Sequence, residues 1–110
     1  MARSGAAVRF KAQVLAVVAA IPEGQVTTYG TIGRHLRITA RQVAFVLATL
    51  TAEESQRLPW FRVVAANGVV STTKLGAVGR RQIERLRAEG VAVTPRHKVE
   101  DFPVLAWSPG

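Results

Sequence analysis

Of the five threonines in residues 26–50, VTTYGTIGRHLRITARQVAFVLATL, two, Thr28 and Thr39, each stand directly before a run with helical spacing. A threonine hydroxyl in that position accepts a bond from a free backbone N–H of the first turn, so each threonine marks a helix N-terminus. The first predicts a short helix over Tyr29–Leu36, with Ile32 and Leu36 inward. The second predicts a helix over roughly Ala40–Leu50, whose Val43, Val46, Leu47 and Leu50 form one buried stripe. Only Arg37 and Ile38 separate the first helix from the second cap. Helices this short are marginal alone. They must pack against each other at an angle, as a helix-turn-helix does.

The surrounding chain supplies the support. Val14, Val17, Val18 and Ile21 recur at helical spacing, predicting a first helix over about residues 7–20 that "IPEGQ" stops. After Pro59 the texture changes: "WFRVVAA", then "NG", then "VVS" predicts a β-hairpin turned at Asn67-Gly68. A last helix is expected over about Val78–Ala88, with Ile83 and Leu86 inward, Arg80, Arg81, Arg85 and Arg87 outward, and Gly90 as its left-handed terminator. Residues 91–110 contain three prolines and no clear period, so order in part is expected, with Phe102, Leu105 and Trp107 packing back. The fold class is α/β, mainly α: a winged helix-turn-helix with a small β-hairpin. It is expected to be a single domain over residues 1–110, with its core at about 8–91 and a tail at 92–110.

Twelve arginines and three lysines face seven acidic residues, for a net charge of +8. Arginine's planar, weakly hydrated fork suits phosphates and base edges, so nucleic acid leads as partner over a merely solubilising basic surface. Projecting the third helix at 100° per residue puts Arg41, Phe45 and Ala48 opposite the buried stripe, flanked by Gln42 and Thr49. That face reads as a DNA-contacting helix presenting Arg41 from its first turn, or as a solvated face with one stray aromatic. Tyr29, opening the preceding helix, is placed either against a sugar-phosphate or as an amphipathic packing residue.

Other chemistries are excluded or unsupported. There is no cysteine, hence no disulfide, thiolate metal site or cysteine nucleophile. His35 and His97 stand far apart without companion carboxylates, so neither a metal nor another cofactor is expected. Ser71, Thr72 and Thr73 have no neighbouring base. "GAVGRR" lacks the Lys-Ser/Thr of a phosphate loop. The longest apolar run, Val14–Ile21, is far too short for a membrane span, and no cleavage pattern follows the basic start. A monomer in the cytoplasm, associated with the nucleoid and not with membrane, is expected.

Taken in order, "IPEGQVTTYGTIG", "TARQVAFVLATL", "LPWFRVVAANGVVS" and a helix ending "AEG" resemble the DNA-binding domain of O6-alkylguanine-DNA alkyltransferases over about residues 8–91. Those enzymes carry Pro-Cys-His-Arg where this chain has Pro59-Trp60-Phe61-Arg62. The closer resemblance is to alkyltransferase-like proteins, which lack the cysteine and usually show Pro-Trp-His-Arg. The resemblance implies the alkyltransferase C-terminal type of winged helix-turn-helix. It implies that Tyr29 helps rotate a nucleotide through its 3′ phosphate and that Arg41 enters the stack to fill the hole. Gln42 and Phe45 would join them at the DNA, and Thr28, Arg80 and Arg81 would contact phosphates. Trp60, Phe61, Arg62 and Val69 would form the pocket for an alkylated base, with Trp60 in the place of the acceptor cysteine and Arg62 tying the site together. "GAVGRR" would be the loop closing over that pocket.

Four positions depart from the family. Phe61 replaces a histidine, Val69 stands where an arginine is usual, Leu50 where the family has a structural asparagine, and Phe45 where a very small side chain is preferred. Glu89, all that remains of the proton relay, is expected to be a surface carboxylate. Irreversible alkyl transfer needs a soft, ionisable nucleophile with an activating base, and an indole beside a phenyl ring offers neither. The expected function is therefore non-enzymatic: binding double-stranded DNA in the minor groove, flipping O6-alkylguanine, and marking it for a repair system such as nucleotide excision repair. A winged-helix transcription factor reading undamaged DNA, and a protein-interaction module that kept only the fold, are the alternatives.

Overall fold

The computed structural model describes residues 2–70 and 76–110, with side chains from residue 10 onward; Ser71, Thr72 and Thr73 lie outside the described residues. The first helix, α1, runs Ala2–Ala20 and so begins five residues before the apolar spacing predicts, in a segment (ARSGA) without an apolar stripe. Val14, Val17 and Val18 are buried along it, as is Ile21 just beyond. The chain leaves through a turn in which the Gln25 N–H donates to the Pro22 carbonyl at 3.2 Å.

The helix-turn-helix forms as its caps predict. Strand β1, Thr27–Thr28, leads into α2, Tyr29–Leu36, whose first turn donates from Thr31 N to Thr28 Oγ1 at 3.0 Å. Arg37 then adopts the left-handed conformation (φ 62°), and the Ile38 N–H turns back to the Gly33 carbonyl at 2.9 Å. Gly33 is what allows so tight a reversal. A Cβ there would stand 2.7 Å from the Ile38 oxygen and 3.2 Å from the Thr39 carbonyl carbon, both immovable backbone. Helix α3, Ala40–Ala48, starts in a capping box: Thr39 Oγ1 accepts from Gln42 N at 3.0 Å, and Gln42 Oε1 accepts from Thr39 N at 2.8 Å. It ends two residues before the predicted Leu50, where the Thr49 hydroxyl donates to the Phe45 carbonyl at 2.9 Å. A second capping box, Thr51 with Glu54, opens a further short helix, α4, over Ala52–Arg57. Lys11 pairs with Glu54 across to α1 at 3.2 Å.

The predicted hairpin is corrected. Trp60–Arg62 form a 3₁₀ turn, not a strand, and β2, Val63–Val64, pairs in parallel with β1. The turn at Asn67-Gly68 does form, with φ of 64° and 84° at its two central residues. Its outgoing arm, however, pairs with the tail: Val69 bridges Lys98 in antiparallel fashion, and Val70 N donates to His97 O at 2.8 Å. One bond crosses the turn, from Ala65 N to Val69 O at 2.8 Å, and beyond it the outgoing arm takes the remote tail as its partner.

Helix α5 spans Ala77–Ala88, so "GAVGRR" is the start of a helix and not a free loop. Its terminator Gly90 has φ 85°. The tail is built into the fold: helix α6, Phe102–Leu105, ends beside β1, where Val26 N donates to Leu105 O at 3.1 Å and Trp107 N to Val26 O at 2.7 Å. Two apolar cores result. One gathers α1, α2 and α3 with Leu58 and Val63; the other gathers Val26, Phe61, Val64 and Val70 with α5 and the tail's Val91, Val93 and Val99. Phe102 and Leu105 pack on the second core, Trp107 on the first.

Candidate nucleic-acid interface

Burying Val43 and Val46 of α3 turns Arg41, Gln42, Phe45 and Ala48 to the outside, all exposed. Phe45 is 65% exposed, a large apolar surface left in water. Tyr29, at the start of α2, is half-buried against the first core. Gln42 gives its Oε1 to the cap, which leaves its amide nitrogen as the group it can offer outward. Thr28 is engaged at the start of α2. Its hydroxyl accepts from Thr31 N and donates to Thr31 Oγ1 at 2.9 Å, so its single hydrogen is spent on the cap. Arg34, Arg37 and Arg41 on the helix-turn-helix, with Arg80, Arg81, Arg85 and Arg87 on α5, are seven of the ten exposed cations among the described residues.

The 3₁₀ turn carries the second group of candidates and brings three of them together. Trp60 is half-buried and meets the Phe61 ring edge-on, with centroids 6.0 Å apart and planes at 87°. Phe61, only 5% exposed, belongs to the second core and lies between two guanidinium groups, Arg62 at 5.4 Å and Arg85 at 4.9 Å from the ring centroid. A phenyl ring suits this slot because it offers both cations its π surface and leaves no ring nitrogen to satisfy. Val69, 40% exposed, sits instead on the turn that pairs with Lys98.

Arg62 connects three segments. Its Nε donates to Glu89 Oε1 and Oε2 at 3.0 and 3.1 Å, its Nη2 pairs with Glu89 Oε2, and its Nη1 donates to the Ile21 carbonyl at 2.8 Å. Glu89 Oε1 also accepts from Gly24 N at 3.0 Å. Glu89 is thus no surface carboxylate: the side chains of the pair are 14% and 12% exposed. Burial works against its ionisation, but the Arg62 hydrogen bonds, the Gly24 N–H and the charges of Arg62 and Arg85 outweigh it and hold the carboxyl below its usual range. A cleft of about 440 Å³ opens onto this pair, bounded by Glu23, Arg57, Pro59, Phe61 and Arg85 among others. On its other side the turn is held by Gln82, fully buried, whose Nε2 donates to Phe61 O at 3.1 Å and Val63 O at 2.9 Å. Sequence reasoning missed Gln82, although it shares a helical stripe with Gly79, Ile83 and Leu86. No local signal marks the Glu89 contacts, whose partners lie 27 and 65 residues away.

Among the described residues no helix is long and apolar enough to cross a membrane, and no three histidine or acidic side chains cluster as a metal site would need. The elements define a winged helix-turn-helix, with a third exposed helix carrying arginine and a supporting tryptophan-bearing turn. A family profile described as "6-O-methylguanine DNA methyltransferase, DNA binding domain" matches residues 9–91. The chain belongs to that family, and within it to the alkyltransferase-like proteins. It is 43% identical over 101 residues to the DNA base-flipping protein of Escherichia coli K12, covering 90% of this chain and 74% of that one. It is 34% identical over 105 residues to alkyltransferase-like protein 1 of Schizosaccharomyces pombe, covering 91% and 95%. The crystal structure of the latter with damaged DNA containing O6-carboxymethylguanine superposes with a TM-score of 0.79 at 34% identity, covering 93% and 97% of the two chains.

Proposed function

We propose that this chain is a non-enzymatic DNA-damage recognition protein. It binds duplex DNA in the minor groove through α2 and α3, turns an O6-alkylguanine out of the stack, and holds it for a separate repair system such as nucleotide excision repair. The observation that carries this reading is the α3 face, where Arg41 projects from a capped first turn beside exposed small residues. Extruding a base costs a few kcal/mol, less for a damaged one. Arg41 filling the vacated stack and an indole such as Trp60 stacking on the base, worth about 1–3 kcal/mol, offset that cost. In this reading Tyr29 presses on the adjoining phosphate, and Arg80 and Arg81 contact the backbone. Trp60 is the accessible wall of the base pocket, and Phe61 and Arg62 support it from the core side.

Transfer of the alkyl group is not part of this function. No cysteine is present to receive it, and Arg62 and Glu89 are committed to each other. The test is competition between duplexes that differ only by an O6-methyl group on one guanine, together with incubation on labelled lesion DNA. The alkylated duplex should bind more tightly, no label should remain on the protein, and Arg41→Ala should weaken binding. Equal binding of the two duplexes would favour reading of undamaged sequence; a covalent adduct would overturn the non-enzymatic assignment.

A further inference from the structure

We infer that Phe45 is a second wedge, entering the base stack about two steps from the position Arg41 fills and setting the bend of the bound duplex. The inference rests on the proposed function, since it requires α3 to lie in the groove. Phe45 is the one exposed aromatic side chain among the described residues; Phe10, Tyr29, Trp60, Phe102 and Trp107 are each half-covered and Phe61 is buried. It stands four residues beyond Arg41 on the same face, a rise of about 6 Å along the helix axis. Successive base pairs are about 3.4 Å apart, so two side chains spaced this way match about two base steps when the helix follows the groove.

The surroundings favour DNA over a protein as the occupant. Ala48, one turn beyond Phe45, is small and exposed, so the ring stands clear of a low surface on that side. Neither α2 nor α3 carries an acidic residue, whereas Arg34, Arg37 and Arg41 do carry exposed charge there. A ring projecting from a wholly cationic surface is suited to a polyanion whose interior is apolar. Its backbone is also held, because the Thr49 hydroxyl caps the Phe45 carbonyl at 2.9 Å. Apolar wedges of this kind part a base step and kink the duplex toward the major groove.

The experiment compares the parent with Phe45→Ala, Phe45→Leu and Arg41→Ala on plain and O6-methylguanine duplexes. 2-Aminopurine is placed at successive steps on either side of the lesion, and end-to-end energy transfer reports the bend. The parent should unstack the probe about two steps from the lesion on one side. Phe45→Ala should lose that signal, straighten the duplex and bind both DNAs about tenfold more weakly, keeping lesion preference and melting temperature. Phe45→Leu should fall between. Phe45→Ala binding and bending like the parent, or binding more tightly, overturns the wedge alone. If Arg41→Ala is equally silent, the placement of α3 in the groove fails with it. A parent that dimerises through Phe45 while its DNA binding ignores the substitution overturns the wedge in favour of a protein contact.

Discussion

Replacing Glu89 by glutamine tests whether the Arg62 junction holds the tryptophan turn against the ends of α1 and α5. The substitution removes the charge and puts an amide N–H₂ where one carboxylate oxygen accepted from Arg62, leaving that guanidinium with the remaining amide oxygen and the Ile21 carbonyl at 2.8 Å but with no counter-charge. Breaking a buried pair costs about 3–5 kcal/mol. This pair borders an open cleft, so water screens the orphaned arginine in part and we expect about 2–3 kcal/mol. A chain of 110 residues unfolds with an entropy of about 0.23 kcal/mol per kelvin, so the melting temperature should fall by roughly 10 °C at neutral pH. The dependence on pH has a definite sign. The folded state depresses the Glu89 pKa, so its stabilisation is complete above the unfolded value of about 4.3 and is lost as pH falls through the lower folded value. The gap between parent and variant, followed by circular dichroism from pH 7 into acid, should therefore begin to close only below about pH 4 and narrow steadily from there. A variant melting within two degrees of the parent at neutral pH, or a gap that persists undiminished at acid pH, would refute the reasoning.

Three further outcomes are expected. Gly33→Ala should destabilise by about 2 kcal/mol or more through the clash with the Ile38 oxygen, and because the turn that aims α3 is displaced, DNA affinity should fall beyond what the unfolded fraction explains; thermal melts paired with titrations on folded protein check this. Gln82→Leu removes both donors to the Phe61 and Val63 carbonyls and should cost about 2 kcal/mol, measured by urea denaturation. Trp60→Ala, at a half-buried ring, should cost less than the 3–5 kcal/mol typical of a core tryptophan while cutting the preference for O6-methylguanine DNA several-fold; a collapsed melting temperature with unchanged preference would make Trp60 plain core.

What the sequence made legible was local. Thr28 and Thr39 mark α2 and α3 because a cap and a helical stripe both lie within one short window, and Val14, Val17 and Val18 mark α1 in the same way. Helix α4 was missed because its six residues bury nothing, although Thr51 and Glu54 spell the same capping box as Thr39 and Gln42. The hairpin misled because Asn67-Gly68 specifies only a reversal; which strands pair beside it depends on β1 and on the tail, far away in sequence. The candidate site divides along the same line. Arg41 and Phe45 could be placed by helical projection, whereas the Arg62–Glu89 pair spans 27 residues and leaves no pattern to read. The tail's prolines suggested loose chain, yet backbone pairing with Val26 and Val70 places it against both cores.

The short strand β2 has a consequence beyond its size. Val63 faces one core and Val64 the other, because neighbouring side chains in a strand point to opposite sides. The pairing of Thr27 with Val63 and Thr28 with Val64 therefore works as a parity check on the whole chain. A slip of one residue would not loosen the structure gradually; it would hand each core the other's valine and turn Arg62 away from Glu89 at the same moment. Insertions or deletions between Pro59 and Val63 should accordingly be tolerated in neither half, while changes of length beyond the Asn67-Gly68 turn leave this parity untouched.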